Sequence, residues 1–161
     1  FARDAAAAGV DGLIVVDCPP EEAGPLAQAL DAADMSLIRL ATPTSDDERL
    51  KVIVRGTSGF VYYVSVAGVT GVKEADEQSV APAVARVRKA SGLPVAVGFG
   101  IRTPERAAAI ARVADAAVVG SALVDEVAAA LTMNKDVTVQ VLSKVDSLAK
   151  AVRSARIGQT V

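Results

Sequence analysis

The residues best suited to chemistry are two short glycine-bearing turns. Gly98-Phe99-Gly100-Ile101 leads to Thr103-Pro104, and Gly120-Ser121-Ala122 opens directly into a helical segment. Glycine lets backbone approach a ligand closely, and a helix N-terminus offers unpaired N–H groups with a partial positive charge. Ser121 adds a hydroxyl donor. Together these are the ingredients of a phosphate grip. Either turn alone is equally explained by glycine relieving a tight strand-to-helix connection. Their recurrence at the same point of consecutive units favours phosphate. A third segment, Val64-Ser65-Val66-Ala67-Gly68-Val69-Thr70-Gly71, runs into a polar stretch from Val72 to Gln78. It has the composition of a mobile lid, or of an ordinary long surface loop.

What is missing narrows the chemistry further. The sequence has no histidine and one cysteine, Cys18. Ser-His and Cys-His nucleophile pairs, the common zinc sites and an internal disulfide are therefore excluded. No metal is expected, and Cys18 reads as a small buried residue with no cation beside it to activate the thiol. A formal charge of −2, from 17 basic and 19 acidic residues, gives no basic field for nucleic acid or an anionic membrane. No apolar run is long enough to span a bilayer. The start, Phe1-Ala2-Arg3-Asp4, lacks the order of a secretory signal and suggests a fragment or a processed chain.

The elements that must position the turns form one repeated unit. Apolar runs at Gly12–Asp17, Met35–Leu40, Phe60–Val66, Pro94–Gly100 and Asp115–Gly120 read as strands buried on both faces. Helices should start at Pro20-Glu21-Glu22, at Ser45 with Glu48 in capping-box spacing, at Ser79 before Val80–Ala90, and at Thr103-Pro104-Glu105 up to about Val113. Leu123–Leu131 and Val137–Val152 read as two further helices. Strict alternation implies parallel strands with right-handed crossovers in a single domain over residues 1–161. Five βα units fit either an open flavodoxin-like sheet or part of a TIM (β/α)8 barrel. A full barrel takes about 250 residues, so the barrel would be incomplete.

The motifs then become specific. Gly9-Val10-Asp11-Gly12-Leu13-Ile14-Val15-Val16-Asp17, with Pro19 and Glu21-Glu22, resembles the fourth-strand segment of tryptophan synthase α chains. Tyr62-Tyr63-Val64-Ser65 with Gly68-Val69-Thr70-Gly71 is similar to their sixth strand and its loop. Gly98-Phe99-Gly100-Ile101 and Val119-Gly120-Ser121-Ala122 resemble their seventh and eighth. The match runs from about residue 5 to 131. Gly-Val-Thr-Gly and Gly-Phe-Gly-Ile together are highly specific, whereas Gly-Ser-Ala alone is weak.

The resemblance implies a lyase of tryptophan biosynthesis. Its reaction is the retro-aldol cleavage of indole-3-glycerol phosphate to indole and glyceraldehyde 3-phosphate, with indole passed to a β subunit. It implies that Gly98, Phe99, Gly100, Gly120 and Ser121 hold the substrate phosphate and that Tyr62 lines the substrate pocket. Thr70 and Gly71 would sit on the lid, and Asp17 would face the β subunit and help couple the two sites; a general base at a strand end and a structural hydrogen bond are the alternatives for Asp17. It also implies a cytoplasmic α2β2 heterotetramer whose α chain needs no cofactor, pyridoxal phosphate belonging to the β subunit. The family's two catalytic carboxylates come from the second strand and the loop after it. No Pro-Phe-Ser-Asp-Pro stretch occurs here, so no catalytic residue is expected and the chain alone should be inactive. Val66 stands where some family members have Arg, which affects how a lid would fasten.

The competing readings are another phosphate-binding barrel enzyme and a non-catalytic half-barrel interaction module. Lys73 and Arg102, close to the lid and the phosphate turn, are expected to be solvated rather than ligands. The basic tail residues Lys144, Lys150, Arg153 and Arg156 are expected to be simply exposed.

Overall fold

A computed structural model describes residues 1–65, 77–98 and 100–157. The elements are α1 (Ala2–Ala7), β1 (Gly12–Ile14), α2 (Gly24–Asp31), β2 (Ser36–Ala41), α3 (Asp47–Val54), β3 (Val61–Val64), α4 (Glu77–Ser91), β4 (Val95–Gly98), α5 (Pro104–Val113), β5 (Ala116–Val118), α6 (Ser121–Thr132) and α7 (Val137–Ile157). All strand pairs are parallel, and the spatial order is β1-β2-β3-β4-β5, identical to the chain order. That order separates the two architectures left open by the sequence. A flavodoxin-like sheet reverses direction at a switch point, whereas a barrel adds each strand beside the last. With crossovers of one hand, sequential order puts the helices on one face. Accordingly α3 packs on α4, α4 on α5, and α5 on α7. The fold is five consecutive units of a (β/α)8 barrel.

The strand sequences explain which face is covered. In β3, Val61 and Tyr63 are buried while Tyr62 and Val64 are half-buried. Val61, Tyr63, Val95 and Val97 pack with Leu50 of α3, Val80, Val84 and Val87 of α4, and Ala107 and Ile110 of α5. This is the main core, lying between sheet and helices. Ile38, Leu40, Tyr62 and Ala96 project to the other face, the barrel lumen. At the edge strand β1, Ile14 is 47% exposed, because no neighbouring strand or lumen layer covers it.

Several local expectations need correction. The β1 run ends at Ile14, and Val16–Asp17 is a turn rather than strand. Pro20-Glu21-Glu22 does not open a helix: it is a further turn, and α2 starts at Gly24 with Pro25 in its first turn. Glu21 is drawn instead into a pair with Arg49 of α3. Ser45 is not the cap of α3. Asp46 takes that place, accepting from the Arg49 N–H at 2.7 Å, while the buried Ser45 Oγ accepts from the Thr42 N–H at 3.1 Å. The expected Thr103 cap of α5 is present, its hydroxyl accepting from the Arg106 N–H at 3.3 Å. α4 starts at Glu77, two residues before Ser79, and α7 continues to Ile157.

Arg156 is more than an exposed cation. Its guanidinium donates to the carbonyls of Ala114 and Asp115, tying α7 to the start of β5. No helix among the described residues is long and apolar enough to cross a membrane.

Candidate functional site

The carboxyl ends of β3, β4 and β5 lie side by side, with Val64 opposite Gly98 and Gly98 opposite Val118. The turns after β4 and β5 therefore emerge as neighbours, as a shared ligand site requires. Phe99 lies outside the described residues, as do Val66, Thr70, Gly71 and Lys73. The other residues of the two turns are well placed. Gly100 has φ +73°, a left-handed conformation that favours glycine, and a Cβ there would meet nothing within 4 Å, so backbone geometry alone selects this residue.

Gly98 is selected for the opposite reason. A Cβ on it would overlap the Tyr62 hydroxyl and lie 2.5 Å from Tyr62 Cζ. Tyr62 sits two positions back on the neighbouring strand, paired with Ala96, and its ring runs diagonally across the lumen face over Gly98. Burial pushes the Tyr62 phenol above its ordinary pKa, so at neutral pH it is a neutral donor facing the lumen. The Gly98 carbonyl is fixed from the other side. It accepts from the Ser65 N–H at 3.1 Å and from the Ser65 hydroxyl at 3.0 Å, and Ser65 is only 8% exposed.

Ser65 is the positioning residue that sequence reasoning passed over. In the sequence it is one residue of a strand-to-loop motif, and only the strand register shows that it reaches the Gly98 carbonyl.

Gly120 is the N-cap of α6, and no side chain satisfies the first N–H groups of that helix. Gly120 and Ser121 are both exposed. The helix therefore presents open donors and the positive end of its dipole beside the β4 turn. Arg102, which follows Ile101 after that turn, is not free to supply charge. It pairs with Asp125 of α6, both side chains more than half exposed. Such an exposed pair is worth about 0–1 kcal/mol and adds no net charge to the site. The binding potential lies in backbone N–H groups and the Ser121 hydroxyl.

Asp17 is exposed in the turn after β1 and makes no hydrogen bond or ion pair among the described residues. It is separated from the glycine turns by β2 and β3. Cys18 is half-buried rather than buried. Among the described residues no cluster of His, Cys, Asp or Glu could hold a metal ion.

Five consecutive parallel βα units in sequential order, with glycine turns at the carboxyl ends of the last two strands, define a protein of the (β/α)8-barrel class. The model of the family described as tryptophan synthase alpha chain matches residues 1–153, and the chain belongs to that family. It is 81% identical over 156 residues to the tryptophan synthase alpha chain of Phenylobacterium zucineum, covering 97% of this chain and 56% of that protein. Tryptophan synthase subunit alpha of Legionella pneumophila superposes with a TM-score of 0.85 at 35% identity, covering 96% of this chain and 56% of that one. The tryptophan synthase complex of Pyrococcus furiosus gives 0.75 at 31% identity, covering 93% of this chain and 59% of its match. The chain thus spans a little over half the length of the relatives it matches.

Proposed function

We propose that this chain is the phosphate-gripping part of a tryptophan synthase α subunit, the lyase that cleaves indole-3-glycerol phosphate to indole and glyceraldehyde 3-phosphate. The observation that carries this reading is the meeting of Tyr62, Gly98 and the open α6 N-terminus at the carboxyl end of adjacent strands. Backbone N–H groups of the Gly98-Phe99-Gly100 and Gly120-Ser121 turns, with the Ser121 hydroxyl, would hold the phosphate; each charge-assisted bond is worth about 1.5–3 kcal/mol. Tyr62, a neutral phenol, would line the pocket beside the indole and glycerol portion. Thr70 and Gly71 would belong to the lid. Asp17 would face the β subunit, consistent with an exposed carboxylate that has no partner among the described residues.

Cleavage requires an acid to protonate the indole ring carbon and a base to take the glycerol hydroxyl proton. The motif that supplies the pair in the family is absent from this sequence. The residues here bind and orient, and by themselves catalyse nothing. The working form is read as a cytoplasmic α2β2 assembly in which the α chain carries no cofactor and the β subunit carries pyridoxal phosphate. The P. furiosus relative was solved as a complex, which supports a partnered form.

The test is indole release from indole-3-glycerol phosphate by this chain and by a version extended with the upstream barrel units of a family member, each with and without β subunit. Activity confined to the extended form, and rising with β subunit, is the expected result. Activity in the 161-residue chain would overturn the account of the missing carboxylates. No activity in either form would transfer the site to another sugar phosphate, which a substrate panel would identify.

A further inference from the structure

Arg39, in the middle of β2, is an anomaly. It is only 7% exposed, its Nε has no hydrogen-bond partner, and among the described residues it makes no ion pair. A buried cation is costly unless it is paired and hydrogen-bonded, and the acid that feels its charge, Glu21, is exposed and bonded to Arg49 instead. The alternation of β2 places it with Leu37 and Ala41 on the helix side of the sheet rather than in the lumen. There it lines a cavity of about 170 Å³ with Arg49 and Ile53 of α3, closed by the β1–α2 connection through Val16, Cys18 and Pro20. The one carboxylate bonded at its rim, Glu21, is engaged by both terminal nitrogens of Arg49. Asp17 does not line the cavity, although both its neighbours in the chain do. Arg39, Arg49 and Glu21 together leave one positive charge in excess at a partly open cavity.

We propose that this cavity is a binding site for a small oxyanion, a phosphate or a carboxylate, held by Arg39 from the sheet, with the Glu21-paired Arg49 of α3 at its rim. It is separate from the glycine turns, which lie on β4 and β5, and does not depend on the reading of those turns. The volume selects the ligand class. Pockets for metabolites and cofactors run to about 300–1,000 Å³, so this one admits an anionic group and little more. A guanidinium fork matches the paired oxygens of either anion. Occupancy would also order the β1–α2 connection, since its residues form the cavity wall.

Cys18 supplies a local reporter, because it lines this cavity and is the sole cysteine. The experiment follows alkylation of Cys18 in the full chain by N-ethylmaleimide, an uncharged reagent, against rising inorganic phosphate and, separately, acetate at constant ionic strength. Phosphate bound at the glycine turns would leave this readout unmoved. The native chain should show saturable protection, reaching about elevenfold slowing at ten times Kd by mass action, and Arg39→Met should show none. If Arg39→Met does not fold by circular dichroism, Arg39→Lys replaces it; keeping charge but losing the fork, it should need at least tenfold more anion for half-protection. Protection by acetate as well as phosphate would identify a general carboxylate and phosphate site, and protection by phosphate alone a phosphate site. No protection by either anion in the native chain, or undiminished protection in both Arg39 variants, would overturn the proposal.

Discussion

β4 and β1 are both short apolar strands of the same parallel sheet, and they live in different environments. Every residue of Val95–Gly98 is buried, whereas Gly12 and Leu13 are half-buried and Ile14 is exposed. β4 has a strand on each side and the main core behind it, built from α4, α5 and α7. β1 has one neighbour and a smaller cluster behind it, made of Ala2, Ala23, Leu30, Met35 and Leu37 with half-buried companions. The other edge mirrors β1. Val124 and Leu131 of α6, Met133 just after it, and Val139 and Leu142 of α7 are all more than half exposed. Apolar character therefore sets what a strand can bury, and neighbours decide what it does bury. The candidate phosphate site sits on the well-supported side of this divide, and the Arg39 cavity on the other.

The largest effect should come from cutting into the core behind β4. Ile110→Ala removes a fully buried side chain and should cost about 2–5 kcal/mol. Leu13→Ala, at the edge, removes a half-buried one and should cost about 1 kcal/mol. Urea unfolding of both variants gives the ratio. Equal costs would show that the two regions unfold as one unit of even density, and the contrast drawn from burial would be lost.

A smaller loss, with a sharper signature, is expected where the divide meets the site. Gly98→Ala must displace the Tyr62 ring or the strand, and overpacking of this kind costs about 1–3 kcal/mol. Tyr62→Phe cannot relieve it, because the ring carbon Cζ would remain 2.5 Å from the new methyl group. Tyr62→Ala should. A double-mutant cycle on stability therefore predicts strong coupling of Gly98→Ala with Tyr62→Ala and weak coupling with Tyr62→Phe. Additivity in the Tyr62→Ala pair would mean that the ring does not cover Gly98.

The parallel units, the glycine turns and the family motifs were legible because they depend on residue type and order. The choice of barrel over open sheet was legible only through the resemblance, since five βα units satisfy both until pairing order is known. The misreadings share one cause. Pro20-Glu21-Glu22 and Ser45 carry good helix-start chemistry, but a long-range partner took the first and a neighbouring acid outcompeted the second. Arg49 holds Glu21, and Asp46 caps α3. Ser65 and Arg39 lay beyond sequence reasoning for a related reason. The significance of each depends on which strand lies beside it and which face it occupies, neither of which is encoded in its immediate neighbours.

Asp115 tests the far end of β5, where the sheet edge is held by polar rather than apolar contacts. Its carboxylate accepts from the Val95 N–H and from Arg88, each at 2.8 Å, while Arg156 reaches the adjacent carbonyls. Burial pushes its pKa up, but the Val95 N–H, Arg88 and Arg156 more than offset this and hold it below the ordinary value. A carboxyl depressed in the folded state contributes stability above its unfolded pKa, about 4, and loses that contribution as pH falls through the lower folded value. Asp115→Ala should therefore cost about 1–2 kcal/mol near neutrality by leaving the Val95 N–H without its acceptor. The gap from the native chain should narrow as the pH is taken below about 4. A gap that stays constant across that range would show that the carboxylate charge is irrelevant to the edge.

The smallest effect separates two helix caps on either side of the divide. Asp46 accepts from Arg49 N–H at 2.7 Å, and Thr103 accepts from Arg106 N–H at 3.3 Å. A charged acceptor at the shorter distance should be the stronger cap, so Asp46→Ala should cost about 1 kcal/mol and Thr103→Ala nearer 0.5. Thr103 has a second partner, however. The Glu105 carboxyl is held below its ordinary pKa first by its own backbone N–H and then by the Thr103 hydroxyl. Thr103→Ala should let that carboxyl rise toward the usual range, which a carbon-detected NMR titration of Glu105 reads directly, while the Arg106 amide gains in hydrogen exchange. If exchange rises and the titration does not move, Thr103 acts only as a cap. If both move, the start of α5 is held by a reciprocal pair at the foot of the loop that carries Gly100. In that case a stability effect too small to threaten the fold would still change how firmly the glycine turn is presented.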